Sequence, residues 1–272
     1  MIMLKFLITA LLFSVFMVSA SEKIPAIHTI GTFEKSSGHI QGGCISNDAV
    51  FLSHKAGIFK LDRTGKLLKH VPTVIHTGDI CFYNGKVYSA ICYYDQARKG
   101  KGAIKEYSSD LEELRTYELD FPIDGITCLN GFLYFGVGPN PPALHRGNRV
   151  AKMPADFSGK PEIFPIDHGY MTNYGPQTMT NDGKNIFISF YSSQKNSCRS
   201  AIFSSDLQLI KALDFEASMG FDVFPGIGNG KDPVFFKLCE TNSKKTKSRR
   251  LNFYKYKDGK MVNVTGNAAG RK

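Results

Sequence analysis

Apolar and polar residues alternate along most of this chain in short runs, and turn pairs separate the runs. Stretches such as Val50-Phe51-Leu52-Ser53, Val87-Tyr88-Ser89-Ala90 and Ile186-Phe187-Ile188-Ser189-Phe190 are rich in residues that fit a pleated, half-buried surface. Asn84-Gly85, Asn130-Gly131 and Asp182-Gly183 fall between such runs. These pairs supply the positive φ angles that tight hairpins require. No window sustains a helical period over three turns, so the pattern predicts strands joined by hairpins.

The strands repeat. His39, Cys44 and Asn47 recur at one common offset as His76, Cys81 and Asn84. Each Asn opens a turn into a second strand, Val50–Ser53 or Val87–Ala90. A third strand follows at Gly57–Leu61 or Ala103–Tyr107, and a fourth at Lys66–Val71 or Leu114–Leu119. The same grammar starts again at Gly125–Leu129, at Gln177–Asn181 and at Phe221–Phe224. Each of these runs leads through a turn to a second strand, at Phe132–Gly136, Ile186–Phe190 and Pro233–Lys237. Third and fourth strands recur at Ala201–Phe203 with Leu209–Lys211, and at Asn252–Tyr256 with Met261–Val264.

Five antiparallel four-stranded meanders that bury their faces against one another describe an all-β, five-bladed β-propeller. A two-sheet sandwich would not make His, Cys and Asn recur in phase. Ile27–Phe33 reads as one extra strand that would complete the last blade or lie along an edge.

The first twenty residues stand apart. Lys5, the apolar run Phe6–Val18 and the small-residue site Val18-Ser19-Ala20 form a signal-peptide pattern, which predicts cleavage before Ser21. The run is shorter than the roughly 20 apolar residues that span a bilayer, and no later stretch is apolar enough. The expectation is a secreted or periplasmic protein that does not span the membrane, with residues 1–20 as signal peptide and 21–272 as one propeller domain. Its oligomeric state is not legible.

The formal charge of +10 suits an exported protein that meets anionic partners, or simply a solvated surface. Lys244–Arg250 concentrates the excess and reads as an exposed loop within a blade. It has no interleaved aromatic residue, so no nucleic-acid partner is expected. Six cysteines in an exported chain permit up to three disulfides. Their placement within apolar runs equally suits buried thiols, and no CxxC spacing marks a metal site.

Residues that start the innermost strand of each blade converge on one end of a propeller axis. Here they are His39 and Gln41, His76 and Asp79, Asp124, Tyr174 and Gln177, and Met219 and Asp222. Such a set predicts a polar ligand pocket at the channel mouth. Asp79, Asp124 and Asp222 offer oxygen ligands for Ca2+ or another divalent metal, or they solvate the channel. His39, His76 and Tyr174 are able to transfer protons. Arg146 and Arg149, in the Pro-containing insertion Val137–Arg149, would neutralise a substrate carboxylate. No GxSxG, HExxH or phosphate-cradling glycine loop is present.

Gly78-Asp79-Ile80-Cys81-Phe82-Tyr83-Asn84-Gly85-Lys86-Val87-Tyr88 and Gly125-Ile126-Thr127-Cys128-Leu129-Asn130-Gly131-Phe132 resemble blades of bacterial secreted propellers. The group is the one holding the NHL, YncE-like and SMP-30/gluconolactonase-like proteins. The resemblance implies the fold and an axial site; SMP-30-like enzymes hold an axial divalent metal with Glu, Asn and Asp, and no matching Glu stands near a first strand here. Two functions are therefore expected. One is binding of a small molecule or saccharide, including an anionic one, at the axis. The other is a lyase or hydrolase on an acidic carbohydrate, using His39, His76 or Tyr174; a scaffold for protein interaction is a weaker reading.

Overall fold

Among the described residues twenty strands follow one another, and every four consecutive strands form one antiparallel sheet. The first blade contains β1 (Ile40–Ile45), β2 (Ala49–His54), β3 (Gly57–Asp62) and β4 (Leu67–Pro72). The second contains β5 (His76–Tyr83), β6 (Lys86–Cys92), β7 (Gly102–Ser108) and β8 (Glu113–Leu119). The third is β9 (Ile123–Leu129), β10 (Phe132–Val137), β11 (His145–Pro154) and β12 (Glu162–Thr172). The fourth is β13 (Gly175–Asn181), β14 (Ile186–Tyr191), β15 (Ser200–Phe203) and β16 (Leu209–Leu213). The fifth is β17 (Phe221–Val223), β18 (Val234–Asn242), β19 (Lys247–Lys257) and β20 (Lys260–Asn263). The chain is a five-bladed β-propeller. This computed structural model describes residues 39–55, 57–73, 76–93, 100–139, 145–191, 199–223, 233–242 and 247–265.

The turn residues act as their chemistry demands. Asn84-Gly85, Asn130-Gly131 and Asp258-Gly259 all have two successive positive φ angles, the geometry of a hairpin turn that matches strand twist. The fifth blade departs from expectation. Lys247 pairs with Asn242 and the ladder continues to Lys255 with Val234, so Lys247–Arg250 belong to β19 and are not a loop. Each blade has its own four strands. Ile27–Phe33 lies outside the described residues, and all four strands of the last blade come from Phe221–Asn263.

Apolar clusters fill the spaces between neighbouring blades. Ile40, Val50 and Leu52 of the first blade meet Phe236, Leu238 and Phe253 of the fifth, which closes the ring. Cys44 and Phe51 meet Ile80 and Val87 across the next seam. Cys44, Cys81 and Cys128 are buried free thiols, Cys92 is buried and Cys239 half-buried; Cys198 lies outside the described residues. Burial pushes the Cys44 and Cys81 thiols up and that of Cys128 to about 12. These cysteines are small core residues in their inner strands.

Near the axis the inner strands approach too closely for ordinary side chains. A Cβ on Gly42 would lie 2.5 Å from Asp79 Cα, and one on Gly78 would lie 2.7 Å from Asp124 O. Gly220, at φ +122, is pressed against Gly42 and Gly43 in the seam between the fifth and first blades. Because the obstacle at Gly42 is the Asp79 backbone as well as its carboxyl, Gly42→Ala is expected to cost about 2–3 kcal/mol by overpacking. Urea unfolding measures this, and an unchanged midpoint would show that the seam has room to spare.

Candidate functional site

Four of the five inner strands have a one-residue bulge near the axis. The inner strand has one residue more than its partner between Ile40 and Gly42, Thr77 and Ile80, Ile123 and Ile126, and Pro176 and Thr178. A bulge bends its strand and re-aims the side chains around it, and such features cluster beside functional sites. Here the bulges divide the axis into two mouths with a buried plug between them.

The first mouth, at the starts of the inner strands, is a cavity of about 380 Å³. His39, Gln41, His76, Asp124, Tyr174 and Gln177 all line it, so the first-strand positions do converge from four blades. Met219 and Ser218 complete the ring from the fifth blade. His76 Nε2 lies 3.2 Å from Asp124 Oδ1, a charge-assisted pair whenever the imidazole is protonated. Gln41 Nε2 is 2.8 Å from His39 Nε2. Glu216 accepts from the Ser218 backbone N–H at 2.7 Å and its hydroxyl at 2.5 Å, and Lys237 pairs with Glu216 at 2.8 Å, which fixes Ser218 at the rim.

Tyr174 and Tyr191 form the aromatic side of this mouth. Their rings lie 5.2 Å apart at 48°, and they remain 37% and 39% exposed. Sequence reasoning did not single out Tyr191 or Ser218. The signal for Tyr191 was available in the topology, because the end of a second strand returns to the start of the first, and Tyr191 pairs with Gly175. Behind them His168 stacks on Phe190 at 3.7 Å and is bonded to Asn148, a buried support for this wall.

The three aspartates expected to share a metal do not meet. Asp124 lines the first mouth, whereas Asp222 lines the second, at the ends of the inner strands. Asp79 is fully buried in the plug, where its Oδ2 accepts from Met179 N at 2.8 Å and from Ile126 N at 3.4 Å. Asp222 Oδ1 accepts from Thr180 Oγ1 at 2.6 Å and Val223 N at 2.8 Å, and Oδ2 from Ile45 N at 3.3 Å. Among the described residues no three His, Cys, Asp or Glu side chains form a metal-holding group. The fold thus sets Asp79, Asp124 and Asp222 at different depths: the last blade starts its strand late, at Phe221, and the bulge turns Asp79 inward.

Burial drives the Asp79 carboxyl well above the usual carboxylate range, against the pull of its backbone N–H donors. It also pushes Asp222 up to about 7, against the bond from Thr180. Arg149 is exposed on β11 and does not line the first mouth; the Arg146 side chain lies outside the described residues. No Lys or Arg is among the described residues lining this cavity.

Solved propellers share this architecture. The glutaminyl cyclase of Myxococcus xanthus matches with a TM-score of 0.56 at 12% identity, over 83% of this chain and 95% of that one. The GH43_1 enzyme of Xanthomonas citri, solved with xylose, matches with 0.54 at 14%, over 87% and 92%. A gluconolactonase of Xanthomonas campestris matches with 0.52 at 13%, over 86% and 77%. No protein-family model and no curated protein matches the sequence. At such identities the likeness is one of fold.

Proposed function

We propose that this protein binds a small uncharged saccharide or similar polyol at the first mouth. The observation that carries the reading is the pairing of two exposed tyrosine rings with a ring of planar polar groups, Gln41, Gln177, His76 and Asp124. A sugar presents an apolar C–H face that covers an aromatic ring, and hydroxyls that need paired donors and acceptors in fixed geometry. The lack of Lys and Arg in the described lining favours a neutral ligand over an acidic one. The signal-like N-terminus supports an exported protein that meets such ligands outside the cytoplasm. Kinship with the NHL, YncE-like and SMP-30-like propellers remains part of this proposal, resting on the blade grammar and not on a shared metal set.

Calorimetric titration with D-glucose, D-xylose, cellobiose and D-glucuronate tests the reading. At least one neutral sugar is expected to bind. Tyr191→Ala should weaken it tenfold or more, through loss of stacking worth about 1 kcal/mol or more together with the buried ring area. If no neutral sugar binds, or if Tyr191→Ala binds as tightly as the wild type, the reading fails.

A second reading rests on the His76–Asp124 contact of 3.2 Å. A carboxylate that orients an imidazole and stabilises its cation equips it as a general base or acid. Turnover of oligosaccharides bound at the first mouth, lost in His76→Gln with binding retained, would make the protein a lyase or hydrolase. Unchanged turnover in His76→Gln would remove His76 from that role.

A further inference from the structure

The second mouth is a cavity of about 410 Å³ that shares no lining residue with the first. Chain order separates the two: Asp124 and Gln177 face the first mouth, Ile126 and Met179 hold the buried Asp79 carboxylate, and Cys128 and Asn181 face the second. Its chemistry is also different. Although the chain has 34 basic and 24 acidic residues, no Lys, Arg or His is among the described residues lining this mouth.

What lines it is rich in acceptors. Asp222 is half-buried there, and among the described residues its donors are neutral: the Thr180 hydroxyl and the backbone N–H groups of Val223 and Ile45. The last of these is long, at 3.3 Å, so Oδ2 is the less satisfied oxygen. Among the described residues no lysine or arginine pairs with it. Asn181 commits its amide nitrogen to Thr127 Oγ1 and Cys128 O, at 2.9 Å each. Its oxygen accepts from Gly183 N at 3.1 Å, and both residues line the cavity. Phe82, stacked on Phe51 at 5.8 Å, and Tyr83 are half-buried and supply an aromatic side.

A desolvated carboxylate with no cationic partner is costly, and the deficit is removed by a cation with its own hydrogen-bond donors. An ammonium group has three donors and no acceptor, the complement of this lining, and its alkyl stem or charge suits an aromatic wall. We propose that the second mouth is a binding site for a small primary ammonium ligand, with Asp222 as its counter-ion and Phe82 and Tyr83 as its side wall. The near-neutral titration of Asp222 fits a carboxylate awaiting such a partner. This site is independent of the saccharide site at the first mouth.

The test uses the full chain, with 1,4-diaminobutane as probe and butane-1,4-diol as its uncharged counterpart, titrated by calorimetry at pH 8 and low salt. The diamine is expected to bind and the diol not to bind. Asp222→Asn should weaken the diamine at least tenfold. Asn47→Lys, which puts a fixed cation at the exposed rim, should do the same without touching the axial hydrogen bonds. Tyr191→Ala, at the other mouth, should leave diamine binding unchanged. The proposal is overturned if the diamine does not bind, if the diol binds equally, or if Asn47→Lys binds the diamine as the wild type does.

Discussion

Asp79→Ala is expected to destabilise the protein by about 3–5 kcal/mol at pH 8, whereas Asp79→Asn should cost clearly less there. One oxygen of Asp79, Oδ2, accepts both the Met179 and the Ile126 backbone N–H groups, which belong to the fourth and third blades. Alanine leaves two buried donors without a partner, at roughly 1–3 kcal/mol each, and opens a void in the plug. Asparagine has a single amide oxygen that can take both bonds. It is also neutral, so it escapes the desolvation that raises the Asp79 carboxyl. A loss of this size would lower the melting temperature by about 6–20 °C for a domain of this length. Unfolding in urea at pH 8 measures it. If asparagine cost as much as alanine, the charge itself would be the stabilising feature, and the view of Asp79 as a hydrogen-bond hub in the plug would be wrong.

That hub illustrates where the sequence stops being legible. Repeated turn pairs and phased His, Cys and Asn residues carry the five blades, since hairpin chemistry is local and each blade repeats it. The first mouth is equally local: a residue that starts an inner strand must emerge at that end, as His39, His76, Asp124 and Tyr174 do. Depth along the axis is not local. Asp79 is only three residues beyond His76, yet the bulge between Thr77 and Ile80 turns it into the plug. Asp222 reaches the opposite mouth because Gly220 must first pass the first blade's Gly42 and Gly43. Tyr191 and Ser218 lie outside the inner strands, and only the pairing of elements brings them in. The basic run Lys247–Arg250 looked like a loop because its charges mask a strand period; pairing with Glu240, Cys239 and their neighbours overrides that composition.

The same axial carboxylates should make stability fall as pH rises from about 4 to 7, the reverse of ordinary acid denaturation. Asp222 titrates near 3.8 when unfolded and at about 7 when folded, and Asp79 is raised in the same direction. Between these values the folded state binds protons that the unfolded state has released, so raising the pH favours unfolding. The contribution of Asp222 is fully present below pH 4 and is lost by the time pH passes 7. At about 1.4 kcal/mol per pKa unit, and with some discount for its partial exposure, this is about 2–4 kcal/mol. The groups facing it, Asp79, Cys44 and Cys81, are themselves raised by burial, and the thiols act only at higher pH. Carboxylates with lowered values, such as Asp48, Asp62, Asp110, Asp156 and Glu216, oppose the trend only below about pH 4.5, where they become protonated. Melting temperatures measured from pH 4.5 to 8.5 should therefore decline, and the double variant Asp79→Asn/Asp222→Asn should flatten the profile. A wild-type profile that rises across this range would mean that water or a bound cation reaches the axis and keeps both carboxylates ionised. The closure of the ring would then rest on its apolar seams and glycine contacts alone.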